Sequence, residues 1–103
     1  MTKILVLQGA GMNMRGKSQI ELFGTKTLPE INEEIMGYGT ALNVDVHIFH
    51  SNIEGELVNA LYDAYENKYD GALINPAGNT AGAPSLKNAI PQVTFPVIEI
   101  HFS

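Results

Sequence analysis

Two short apolar runs without alternation limit what this chain can fold into. Ile4-Leu-Val-Leu7 and Ala72-Leu-Ile74 place nonpolar side chains on both faces of any strand they form, so both faces need cover. A parallel sheet between helical layers provides that cover. A sheet with one solvated face does not.

The stretches between the runs have the other periodicity. Thr27-Leu-Pro-Glu30 is a capping box, and Leu28, Ile31, Ile35, Tyr38 and Leu42 follow at three- and four-residue steps, which predicts an amphipathic helix loosened by Gly37 and Gly39. Ser51-Asn-Ile-Glu54 offers a second capping box ahead of Leu57, Leu61, Ala64 and Tyr65, and a short third helix is expected over Ser85 to Ala89. Val44 to Phe49 partly alternates, with Asp45 and His47 on one face and Val44, Val46 and Ile48 on the other, as an edge strand does. Right-handed crossovers then arrange the chain as an α/β, flavodoxin-like three-layer sandwich, its four-stranded parallel sheet in the order 2-1-3-4.

With 103 residues, 45% of them hydrophobic and 17% charged, the chain is expected to be one domain, 1–103, around one modest core. A domain of this size buries roughly 60–70% of its unfolded surface, so packing against other chains is expected. The net charge of −5 opposes binding to nucleic acid or to an anionic membrane surface. The lack of cysteine suits a reducing compartment, and Met1-Thr-Lys3 leads straight into a short apolar run unlike a signal peptide. A cytoplasmic protein is expected.

In such sheets ligands bind beyond the strand carboxyl ends, near the point where strand order reverses. That edge should carry Gln8 to Gly24, Asn75 to Pro84 and His101 to Ser103. Gly9, Gly11, Gly16 and Gly24 do not fit a dinucleotide fingerprint, and the loop they punctuate reads as a lid. Asn75 offers both a donor and an acceptor to a ligand hydroxyl or to its own loop. His101 shares a strand face with Glu99, whose carboxylate can hold the imidazole. His47 and His50 point to opposite faces, so no metal is assigned, and no cofactor is called for.

Taken together, several segments resemble the type II 3-dehydroquinate dehydratases of the shikimate and quinate pathways. They are Ile4-Leu-Val-Leu-Gln-Gly9, Phe23-Gly24, Thr27-Leu-x-x-Ile-Asn32-Glu-Glu34 and Ser51-Asn-x-Glu54-Gly-Glu-Leu57. The strongest are Ile74-Asn75-Pro76-x-Gly78-x-Thr80 and Pro96-Val-Ile-Glu99-Ile-His101-x-Ser103. The resemblance runs from Lys3 to Ser103. It implies a shortened member that lacks the family's last strand and helix.

By that resemblance, Asn75 maps to a substrate hydroxyl contact, His101 to the proton donor, and Phe102 and Ser103 to backbone contacts for the substrate carboxylate. The family eliminates water through an enolate, with a tyrosine as base and a lid arginine beside it. Here the base position is Phe23 and the arginine position Ser18, while Arg15 and Lys17 are the lid's own cations. Gly11, Ala81 and Asn88 replace three further polar groups. Losing a positioned base costs about 10²–10⁴-fold.

The resemblance therefore implies a catalytically impaired, dehydroquinase-like pseudoenzyme acting as an assembly or ligand-binding subunit. The alternatives are an active hydro-lyase, with a rearranged lid or completed by a partner chain, and a binding module for a small carboxylate or polyol. Oligomers are expected on the family's trimer and dodecamer pattern, with copies of itself or with a related chain that supplies the missing elements.

Overall fold

The computed structural model describes residues 1–101. β1 (Lys3–Ala10), β2 (Asp45–His50), β3 (Gly71–Ala77) and β4 (Val97–Glu99) form one sheet, in the order β2-β1-β3-β4. Every pairing is parallel. The first apolar run thus lies in the sheet centre, where Leu5, Val6 and Leu7 are buried. The partly alternating segment is an edge strand, as its pattern predicts.

α2 (Leu28–Ala41) lies between β1 and β2, α3 (Glu54–Glu66) between β2 and β3, and α4 (Pro84–Ala89) between β3 and β4. Alternation along the strands separates the two faces. Leu5, Leu7, Ala72 and Ile74 pack with Leu57, Leu61 and Ala64 of α3 and with Leu86 and Ala89 of α4. The other face presents Val6, Gln8, Leu73 and Asn75, and Gln8 and Asn75 are register partners across β1 and β3. α2 is tied to that face by Gln8 Nε2, which donates to Asn32 Oδ1 at 2.8 Å.

The capping box at Thr27 forms as expected, with Glu30 N–H donating to Thr27 Oγ1 and Thr27 N–H to the Glu30 carboxylate. The second expected box does not form. Ser51 N–H is still bonded to Gln8 O at the strand end, so α3 starts two residues later with Ile53 at its N-cap. Ser51 Oγ instead accepts from Ile53 N–H and donates to the Glu56 carboxylate. The lid also departs from a plain loop, because it folds into a 3₁₀ turn at Met12–Met14 and a short helix, α1 (Ile20–Phe23). Met12 is buried and fixes the first turn.

Hydrogen bonds from the Thr27 backbone, and then from its hydroxyl, hold the Glu30 carboxyl below its usual pKa. The lowered folded value means that this contribution is complete above the ordinary carboxylate pKa and is lost as pH falls through the folded one. Thr27→Ala is expected to lower stability by about 1 kcal/mol. It should also flatten the acid limb of the stability profile, measured by urea unfolding between pH 3 and 7.

Val6, Ala72 and Ile74 are buried, while Ile98 of β4 is 57% exposed and Leu22, Tyr38 and Leu42 are largely exposed. The open surface is therefore the β4 edge, α1 and the rim of α2. No helix among the described residues is long and apolar enough to cross a membrane.

Candidate active site

The carboxyl ends of β1 and β3 are drawn together by a glycine. A Cβ at Gly9 would lie 2.1 Å from Pro76 O, closer than any side chain can be accommodated. Around this close approach Gly78 N–H donates to Ala10 O, and Ala10 N–H donates to Asn79 Oδ1, each at 2.8 Å. Gly11 N–H donates to Asn52 Oδ1 and anchors the lid's first turn to the loop before α3. The strand ends and the lid thus share one hydrogen-bonded frame.

Under the lid is a cavity of about 460 Å³, bordered by Arg15, Ser18, Phe23, Asn75, Thr80 and His101 among others. The size suits a small ligand. Gln19 and Ala77, which also border it, have φ of 51° and 47°. Of the described non-glycine residues with positive φ, the other two, Asn43 and Lys68, follow helix ends. Strained backbone therefore collects at this cavity, as it does at ligand-binding sites.

Asn75 is 4% exposed, and its Oδ1 accepts from Ala77 N–H at 3.2 Å. Its Nδ2 is buried without a hydrogen-bond partner. That bond to Ala77 fixes which end of the amide carries the oxygen and leaves the buried Nδ2 as an unmet donor. Leaving a buried donor unmet costs about 1–3 kcal/mol, which a ligand acceptor would recover. His101 Nε2 stands 3.0 Å from Glu99 Oε1, a contact that orients the ring.

Arg15 supplies the lid's charge to the cavity. Its guanidinium carbon is 3.9 Å from the centre of the Phe23 ring, a cation–π stack. Burial lowers its pKa from the usual arginine value, yet a guanidinium stays charged. Among the described residues no Asp or Glu lines the cavity directly, and Glu99 reaches it through His101.

The structure brings Asn75 and His101 to one cavity with Ser18, Gly11 and Phe23. Phe102 and Ser103, expected to hold a carboxylate, lie outside the described residues. Ala81 and Asn88 are exposed and do not border it. None of the four tyrosines borders it either; Tyr38 lines an adjoining cavity of about 420 Å³ that shares Phe23 and Asn75. A cavity of about 350 Å³ beside β2 and α3, lined by His47, Asp63 and Tyr69, is formed by none of these residues. No group of three or more His, Asp or Glu that could hold a metal ion occurs among the described residues. Sequence reasoning missed the Arg15–Phe23 stack, because eight residues of irregular spacing hide which side chains meet.

Comparison with known proteins gives a consistent result. The family model for "Dehydroquinase class II" matches residues 2–103. The 3-dehydroquinate dehydratase of Caldanaerobacter subterraneus subsp. tengcongensis is 40% identical over 103 residues, covering 100% of this chain and 69% of that protein. The 3-dehydroquinate dehydratase of Clostridium perfringens is 37% identical over 101 residues, 98% of this chain and 70% of its own length. Among solved structures, the type II dehydroquinase of Butyrivibrio crossotus superimposes with a TM-score of 0.96 at 30% identity, covering 99% of this chain and 71% of that one. With the sheet order, the residues at the strand ends and these matches in agreement, the chain belongs to the class II dehydroquinase family.

Proposed function

We propose that this protein is a catalytically impaired dehydroquinase that serves as a ligand-binding and assembly subunit. The observation that carries the reading is Phe23. It lines the cavity and, by the family resemblance, stands at the position of the proton-abstracting group, while its ring has no ionisable oxygen. None of the tyrosines lies at this cavity to replace it. The binding half of the site is kept. Asn75 presents an unmet donor and His101 is oriented by Glu99, and the carboxylate role of Phe102 and Ser103 rests on the family resemblance alone.

The assembly part of the reading is supported by the exposed apolar side chains Ile98 of β4, Leu22 of α1 and Tyr38 of α2. Surface of this kind is normally covered by another chain. A homo- or hetero-oligomer, including one with a related chain, satisfies that need.

Two measurements on the purified, folded protein test the reading. Formation of 3-dehydroshikimate, followed by absorbance at high protein concentration, should not exceed the buffer rate. Light scattering should give a mass above that of one chain. Brisk turnover would overturn the impairment, and a well-behaved monomer would overturn the assembly role.

A second reading has one observation in its favour: Arg15 stacks on Phe23 and places a cation at the cavity although Ser18 occupies the arginine position. In that reading the lid is rearranged and the chain is a dehydratase completed by a partner. Turnover that appears only on co-expression with a related chain, and is abolished by His101→Ala, would establish it.

A further inference from the structure

We infer that Gln8 is the positioning residue of this site: its carboxamide oxygen accepts from Asn75 Nδ2 on one side and from His50 Nε2 on the other, and so sets the plane of the amide at the end of β3. The inference rests on the binding role proposed above only where it concerns ligand affinity. The hydrogen bonds themselves are decided without it.

Three buried atoms carry it. Gln8 Oε1, His50 Nε2 and Asn75 Nδ2 are each closed off from solvent with no hydrogen-bond partner. They belong to one row, because Gln8 of β1 is the register partner of His50 on β2 and of Asn75 on β3. Register partners in parallel strands share a sheet face, and neighbouring strands lie about 4.7–4.9 Å apart, a gap these side chains span by turning about their own torsions. The row thus sets one acceptor between two nitrogens.

The far end of each amide fixes which end is left over. Gln8 Nε2 donates to Asn32 Oδ1 at 2.8 Å, so the remaining end of Gln8 is its oxygen. Asn75 Oδ1 accepts from Ala77 N–H at 3.2 Å, so the remaining end of Asn75 is its nitrogen. The two unmet ends are of opposite kind. Gln8 is 2% and Asn75 4% exposed, so bulk water does not stand in for the missing partner, and leaving both unmet is costly.

A carboxamide oxygen has two lone pairs, so Gln8 can serve His50 and Asn75 together. Asn75 Nδ2 has two hydrogens, so a bond to Gln8 keeps the second for a ligand. The chain Asn32, Gln8, Asn75, Ala77 then runs from α2 to the cavity under the lid, which Asn75 and Ala77 border and Gln8 does not. Gln8 therefore acts through Asn75.

The test is NMR of the full chain labelled with nitrogen-15. In the unaltered protein the Asn75 side-chain protons should exchange slowly with solvent, and the ring nitrogen shifts of His50 should show a proton on Nε2. Gln8→Met keeps the length of the side chain and removes the acceptor. It should speed exchange of the Asn75 protons about 10-fold and weaken quinate about 3–10-fold in calorimetric titration. Gln8→Glu keeps the acceptor and should hold both readouts near those of the unaltered protein, although a buried carboxylate lowers the urea midpoint. A side chain that only fills space would give the opposite order, with Gln8→Met the milder change.

Circular dichroism of each variant establishes that it is folded, and the Gln8→Met comparison decides the matter alone if Gln8→Glu does not fold. Unchanged Asn75 exchange or undiminished quinate binding in folded Gln8→Met, or a His50 Nε2 without a proton, would each overturn the inference. Failure of the unaltered protein to bind quinate would instead overturn the binding role, while the exchange and nitrogen-15 results still decide the part played by Gln8.

Discussion

Phe23→Tyr is expected to raise 3-dehydroshikimate formation about 10²–10⁴-fold above the unaltered protein, the usual contribution of one positioned general base. The ring already forms part of the cavity wall, so the substitution adds a single oxygen to an existing surface. A phenol ordinarily ionises near pH 10, roughly three units too high to serve as a base at neutral pH. Arg15 changes that, because its guanidinium lies 3.9 Å from the ring centre and a neighbouring cation favours the phenolate.

The sign gives a second readout. Activity of Phe23→Tyr should climb with pH as the phenol ionises. Adding Arg15→Met should move that climb to higher pH, since removing the cation raises the phenol's pKa. No gain in turnover by a folded Phe23→Tyr protein that still binds quinate would show that the missing base is not what limits this chain. A gain without any shift on Arg15→Met would remove Arg15 as the activating charge.

The sheet was legible in the sequence because its signal is local. Ile4-Leu-Val-Leu7 and Ala72-Leu-Ile74 can be satisfied in few environments, and the alternation of Val44 to Phe49 marks an edge. The Ser51 box failed for a tertiary reason. Ser51 N–H is held by Gln8 O of the neighbouring strand, and no reading of positions 51 to 54 alone contains that constraint. Asn75, His101 and the Glu99 contact could be placed because strand parity and the strand's end decide where they point.

The lid was legible in location only. Gly9, Gly11, Gly16 and Gly24 mark its turns, but the meeting of Arg15 with Phe23 depends on a 3₁₀ turn pinned by buried Met12 and a helical turn at α1. Neither turn has a periodic signal long enough to read.

Gly9→Ala should destabilise the protein by about 3 kcal/mol, close to the upper end for an overpacked site. The added methyl would come within 2.1 Å of Pro76 O and 2.7 Å of Pro76 C. Both are backbone atoms of the adjacent strand, so the clash cannot be relieved by rotating a side chain. Relief requires β1 and β3 to separate where Gln8 faces Asn75 and Ala10 faces Ala77. That separation strains the Asn79 to Ala10 bond and the Gly78 to Ala10 bond together.

A domain of this size has about 5–15 kcal/mol to lose in total, so the urea midpoint should fall sharply while the protein remains foldable in buffer. The damage should also be local. Quinate affinity should fall in the folded fraction, because Asn75 moves with the strand end. Gly55→Ala, in open space on α3, should do neither and serves as the control for loss of glycine itself. An unchanged urea midpoint for Gly9→Ala would mean that the two strand ends are not in the close contact on which the shape of this cavity depends.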